Sequence, residues 1–450
     1  MKRKCKFYHD IHEMNLFLPP PLNERPTRVY AMTERSETTI VINRKKNQRK
    51  VMKHQIIGIL LGIGLLTGSI AWATNRNAIQ KVELENIVSP TKVEYDSVWY
   101  ARQAEGWAKE IKKNPKNENA WLNYYLASKY QLTWFNSSPY YNKRATKDAM
   151  NFLNGIIANM EKNIPDTHTP NMLKYFQSGW NDKYKAGMMR AIAQKPDELR
   201  FFPEYAAFML RENMEKELTR LCQKMYESGE YSPALLNYAY NELAGLEPGS
   251  ILLANGDVPI YSKLLIQKGK GLFTNVHVVA LSLLYLDNYR ETIFNKIGIP
   301  LELAPTDKDE KGMIRHIIQH SKHPVYFSIN NAFPKEELKD SLYSEGLVMR
   351  YSAKPYDNIS IKRRNYEKRY LLDYLQESFS PERYTTSADG LKLNYVVVFQ
   401  SLLKHYREAG DEARLKELYQ LLEKVIDNVE LTPERREGYI NFINEAYEGK

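Results

Sequence analysis

The sequence predicts an α+β protein that is predominantly α. Three observations carry this. Amphipathic stretches of helical period fill residues 94–245, β-branched apolar runs punctuated by Gly, Pro and Asn occupy 246–380, and the helical period returns over 381–450. We therefore expect tetratricopeptide-like helical repeats, then a small, mostly parallel α/β sheet domain, then a C-terminal helical hairpin with a capping helix.

The chain opens on a basic tail, residues 1–54, with Pro19-Pro20-Pro21, scattered charge and neither period. Such a segment buries too little apolar surface to offset its ordering entropy and reads as disordered. Met32 and Met52 are alternative starts, and a start at Met52 would leave no tail.

Residues 55–73 are the one long uncharged apolar run, preceded by Arg44, Lys45, Lys46, Arg49, Lys50 and Lys53. That order sends the body after residue 74 across a membrane. Two readings stand. The run is a transmembrane signal-anchor, or it is a signal peptide cut after Ala71-Trp72-Ala73. Gly58, Gly62, Gly64 and Gly68 weaken a permanent helix by about 1 kcal/mol each relative to alanine, while the basic flank suits an anchor. Both put the body in the periplasm, at the inner membrane or free of it. No cysteine stands at a lipobox position.

Charge then excludes one class of partner. The first 54 residues carry 13 Lys+Arg against 5 Asp+Glu, which accounts for +8 of the net +10 and leaves the body at +2. A nearly neutral body gives no case for nucleic acid. Cys5 and Cys222 flank the apolar run, so no disulfide within one molecule is expected. Cys222 sits at helical spacing and reads as a small buried residue. The chain has 32 tyrosines, most inside amphipathic stretches, which favours packing over an aromatic sugar-binding surface.

Tyr95–Lys112 and Glu118–Tyr130 read as paired helices, with a turn at Asn114-Pro115-Lys116-Asn117 and Asn117 as N-cap. Further helices are expected at Lys143–Lys162, Pro170–Asn181, Tyr184–Gln194, Phe202–Glu212, Asn213–Ser228 and Ser232–Leu243. Stacked helices of this kind leave a surface for a protein partner. Strands are expected at Ile251–Asn255, Val276–Leu281, Pro324–Ile329 and Gly346–Tyr351, and helices at Pro259–Lys268, Tyr289–Lys296, Asp309–His320 and Lys335–Leu342. Leu391–Glu408, Asp411–Asn428 and Pro433–Glu448 complete the chain.

Several residues over 246–425 resemble a known family. They are Ile251-Leu-Leu-Ala-Asn-Gly-Asp257, Val276-His-Val-Val-Ala-Leu-Ser-Leu-Leu284, Asp287-Asn288-Tyr289, His323-Pro-Val-Tyr-Phe327, Tyr343-Ser-Glu-Gly-Leu347 and Met349-Arg350-Tyr351. In this order they are similar to the soluble domain of bacterial multi-spanning membrane proteins related to the protein O-mannosyltransferases. The family follows its Asn-Gly-Asp with Asn-Asp and an aromatic-rich helix, where this chain has Val258-Pro259. Its many membrane helices have one apolar run as their counterpart here. The resemblance therefore implies a membrane-linked accessory or binding module and does not imply transferase activity.

Three constellations are candidates for function. Asn255, Gly256 and Asp257 follow the first expected strand, where open α/β sheets bind ligands, so Asp257 could take a sugar hydroxyl or a cation; the alternative is a turn with Asp257 as helix cap. His316, His320 and His323 stand at i, i+4 and i+7 and could hold zinc or copper; the alternative is an exposed face opposite Ile314, Ile317 and Ile318. Lys362-Arg363-Arg364 with Lys368-Arg369, flanked by Tyr356 and Tyr366, could contact anionic lipid headgroups or an acidic glycan; the alternative, which the near-neutral body favours, is a solvated loop and helix start. No catalytic grouping, dinucleotide motif or cofactor signature is present. The expected function is a binding or scaffold protein of the bacterial cell envelope. Its rivals are a glycan- or nucleotide-sugar-related enzyme or accessory with its site near Asp257, and a single-span signalling protein acting through its tail.

Overall fold

Asp96 starts the first helix: its carboxylate accepts from the amide of Trp99 at 2.7 Å, and helix α1 runs Ser97–Lys113. A computed structural model describes residues 83–133 (91 and 94 apart), 147–329, 338–377 and 385–449. All belong to one compact unit; the apolar run 55–73 and the basic tail lie outside the described residues. Among the described residues no helix is long and apolar enough to cross a membrane.

The buried face of α1 is Tyr100, Gln103, Ala104, Trp107 and Ile111, the spacing of one helix side. Pro115 ends it, Asn117 accepts from the amide of Ala120, and α2 follows at Glu118–Thr133. Helices α3 (Lys147–Asn163), α4 (His168–Gln177), α5 (Lys185–Gln194), α6 (Phe202–Arg211), α7 (Glu215–Glu227) and α8 (Pro233–Ala244) continue the series. From α1 to α5 each helix packs on the next, and α6 packs on α7. Ser232 caps α8 through the amide of Leu235, with Pro233 at its first position.

The sheet comprises β1 (Ile251–Ala254), β2 (His277–Ala280), β3 (Val325–Ser328), β4 (Leu342–Ser344) and β5 (Val348–Tyr351), in the order β2-β1-β3-β5-β4. Between them lie α9 (Asp257–Leu264, prolonged by a π turn at Leu265–Gly269), α10 (Asp287–Ile297) and α11 (Glu310–His320). Both faces of the sheet are covered. Leu252, Tyr326 and Val348 pack with Ala239, Leu243 and Leu246 at the end of α8, while Ile251, Leu253, Val325 and Phe327 join the main core. This alternation explains why β1 and β3 read as unbroken apolar runs.

The protein is thus predominantly helical with a small mixed five-stranded sheet. Two details correct the sequence reading. The sheet is mixed: β1 pairs in parallel with β2 and β3, but β5 pairs antiparallel with both β3 and β4. The expected helix Lys335–Leu342 stops short of Leu342, which opens β4; residues 330–337 lie outside the described set. A three-residue connection, Glu345-Gly346-Leu347, leaves β4 and β5 no arrangement but a hairpin. Beyond it are α12 (Asn358–Arg364, prolonged by a π turn at Asn365–Arg369), α13 (Asp373–Gln376), α14 (Thr385–Glu408), α15 (Glu412–Asp427) and α16 (Pro433–Glu448). The last three pack on one another, and α14 packs on α8.

Candidate functional site

The strand order reverses at β1, with β2 on one side and β3 on the other, so the carboxyl ends of β1 and β3 flank the topological switch point. Asn255 and Gly256 stand there. The side-chain oxygen of Asn255 accepts from the amide of Gly256 at 3.0 Å. Gly256, at φ 86° and ψ 148°, is the N-cap of α9, a backbone conformation that favours glycine. Asp257 is therefore the first helical residue of α9 and not its cap. The neighbouring end of β2 is tied to α10, where the Tyr289 hydroxyl accepts from the amide of Ala280 at 2.9 Å.

Beside this switch point the structure brings together three residues that the sequence reading had not singled out. Ser328, the last residue of β3, donates its hydroxyl to Glu242 of α8. The other carboxylate oxygen of Glu242 lies 2.5 Å from Nζ of Lys263 on α9, which also donates to the carbonyl of Pro259 at 3.2 Å. Glu242, Lys263 and Ser328 are all 0% exposed. The charges neutralise each other, and no atom of the three meets solvent, so the assembly ties β3, α8 and α9 together. A signal existed: Lys263 is the one charge in Ile260-Tyr-Ser-Lys-Leu-Leu-Ile266, and Glu242 interrupts an equally apolar run.

The histidine row separates. Helix α11 ends at His320, so His323 is off it and exposed, with its ring facing His277. His316 is buried, its Nε2 within 2.8 Å of the Pro300 carbonyl and its ring stacked on Phe294. His320 Nδ1 lies 2.9 Å from the carbonyl of His316. Among the described residues no group of three or more His, Cys, Asp or Glu is placed to hold a metal ion.

In the basic cluster Arg363, Arg364 and Lys368 are exposed, as a solvated segment requires, and Lys362 departs from that reading. Lys362 is buried in α12, and its Nζ donates to the Val398 carbonyl at 3.0 Å and to the Ser401 hydroxyl at 2.7 Å. Burial pulls its ammonium down to about 8. Cys222 is buried, and burial pushes its thiol up to about 12, which suits a packing residue.

A further constellation was invisible in the sequence. Residues 83–90 form an irregular strap along α1 and α2, gripped by side chains. Gln103 takes both sides of one peptide stretch: its Oε1 accepts from the Glu85 amide at 3.1 Å and its Nε2 donates to the Glu83 carbonyl at 2.8 Å. The Trp107 indole donates to the Glu85 carbonyl at 3.2 Å. Asn123 accepts from the Ile87 amide at 2.8 Å, and the Arg200 guanidinium donates to the Ile87 carbonyl from Nε, at 3.1 Å, and from Nη2. Alternate residues 83, 85 and 87 thus present backbone groups to the helices, the period of extended chain. Ile87 is fully buried, and Leu84 packs where α1 carries Gly106. A Cβ at Gly106 would lie 2.4 Å from Cδ2 of Leu84, so this mid-helix glycine is the seat of the strap's leucine.

Compared with known proteins, the chain matches no family model, no curated protein and no solved structure.

Proposed function

We propose that this protein is an extracytoplasmic, membrane-linked binding or scaffold protein of the bacterial envelope. In this reading α1–α8, within residues 94–245, form a tetratricopeptide-like stack, α14–α16 a C-terminal hairpin with its capping helix, and residues 55–73 link the body to the inner membrane or direct it to the periplasm. The carrying observation is the grip of α1, α2 and Arg200 on an extended backbone by side-chain amides, an indole and a guanidinium. Successive packing of the helices supports the stack. Within the reading, the segment 246–425 serves as the accessory module that its resemblance implies.

A photo-crosslinking residue at Phe152, a large apolar side chain exposed on α3, tests the scaffold role in intact envelopes. A discrete higher-mass adduct, absent when the probe sits at Arg435 of α16, is expected. No adduct from the stack would sink the proposal. The rival, a glycan or nucleotide-sugar site near Asp257, requires a ligand-induced rise in melting temperature that Asp257→Ala abolishes.

A further inference from the structure

We propose that the groove of α1, α2 and Arg200 is a receptor for extended peptide, and that residues 83–90 occupy it in cis. Its ligand in trans is a partner segment of the same chemistry, with an apolar residue, two polar residues and a second apolar residue. The inference rests on the scaffold reading and names the kind of partner that reading leaves open.

Apart from those to the Asn86 side chain, the groove's hydrogen bonds are indifferent to sequence. They reach the carbonyls of Glu83, Glu85 and Ile87 and the amides of Glu85 and Ile87, groups that every non-proline residue offers. Backbone bonds supply affinity in this mode of recognition, and side-chain pockets supply choice. Two seats make that choice here: the notch over Gly106 that takes Leu84, and the site where Ile87 is buried. Between them Glu85 and Asn86 are exposed, and α2 touches the second of them through its side-chain oxygen, which accepts from Asn123 at 3.1 Å and Asn119 at 3.2 Å.

The gripping residues are built for an occupant. Gln103 and Asn123 are buried amides on the inner sides of α1 and α2. Both polar atoms of Gln103 are spent on the strap, and Asn123 also donates to the Asn86 side chain at 3.1 Å. Withdrawing the strap would take both of these bonds from buried Gln103, while Asn123 would keep Asn119 and Arg200, so it is Gln103 above all that makes an emptied groove favour a replacement chain over vacancy. Gly106 points the same way, since a glycine inside a helix weakens it and is retained here where another segment must approach.

The test uses the full-length chain with Leu84→Asp and Ile87→Asp, which expel the strap, and a fluorescent synthetic peptide of residues 81–92 read by anisotropy. The double variant is expected to bind the peptide saturably, at least tenfold more tightly than the intact chain, whose own strap competes. Adding Gln103→Ala and Asn123→Ala should lower that binding at least tenfold. A peptide with Asp at the positions of Leu84 and Ile87 should not bind. If the strap variant does not fold, a protease site inserted after Lys92 of the intact chain replaces it. After cleavage, excess peptide should displace the 1–92 fragment. Equal binding to intact and strap-variant chains, insensitivity to the Gln103 and Asn123 changes, or no binding by a folded variant overturns the inference. A dimer of the intact chain that disappears on strap mutation also overturns it, because the occupant in trans would then be a second copy's strap. A groove that refuses the peptide while the Phe152 cross-link persists leaves the scaffold reading standing; loss of both removes both.

Discussion

His168 is buried in α4, with Nε2 2.6 Å from the Tyr205 hydroxyl and Nδ1 3.9 Å from Glu118. Burial, aided by Lys195 and opposed by Glu118, pulls its imidazole down to about 4. The unfolded chain titrates it near 6.5, so between those values the unfolded state binds more protons. Its stabilisation is fully present above 6.5 and is lost as pH falls towards 4. Denaturant melts should lose about 2 kcal/mol from this residue between pH 7 and pH 5, and a folded His168→Gln variant should lack that increment. Lys362 titrates in a different window. Its folded value of about 8 lies below the ordinary lysine range, so stability rises with pH between about 8 and 10.5 and is level below. Because its two acceptors are neutral, Lys362→Met should be no less stable at pH 7 and should gain up to about 3 kcal/mol, the gain shrinking by pH 10. Neither environment was legible in the sequence. Lys362 stands in a run of basic residues, and its burial depends on α14, some forty positions further along the chain. Cys222 was legible because its own helix declares its face.

At the scale of elements, Glu242 and Lys263 join α8 to α9 without solvent, and such a pair is costly to break from one side. Lys263→Met should destabilise by about 3–5 kcal/mol, and Lys263→Met with Glu242→Leu should recover most of the loss in melting experiments. Gly106→Ala has a different signature. Alanine improves an exposed helix interior by about 1 kcal/mol, but here its methyl group meets Leu84. We expect α1 and α2 to melt no earlier while amide exchange at residues 83–90 accelerates; unchanged exchange would show that the notch is not the strap's seat. Elements with their own period were read to within a few residues, as at α1, α7, β1 and β3. The Leu342–Ser344 strand was not, because three half-buried residues carry no pattern until β5 pairs with them. The candidate site fared likewise. Asn255-Gly256 was placed correctly at a strand's end, whereas Ser328, Glu242 and Lys263 meet only through tertiary packing of β3, α8 and α9.

For the whole molecule, the basic residues ahead of the 55–73 run predict topology independently of everything packed after it. A periplasm-dependent reporter fused after Lys450 should be active and a cytoplasm-dependent one inactive; the reverse would overturn the envelope assignment. The strap adds a consequence in time. Chains are made from the N-terminus at about 5–20 residues per second. Gln103 and Asn123 lie only 18 and 36 residues beyond the backbone amides they bind, so the strap can settle against α1 and α2 early in synthesis. Arg200 lies 113 residues beyond Ile87 and arrives seconds later, with the start of α6. The strap is thus seated first and latched later. Until the latch arrives, a neighbouring peptide competes with a strap held by fewer bonds than in the finished molecule.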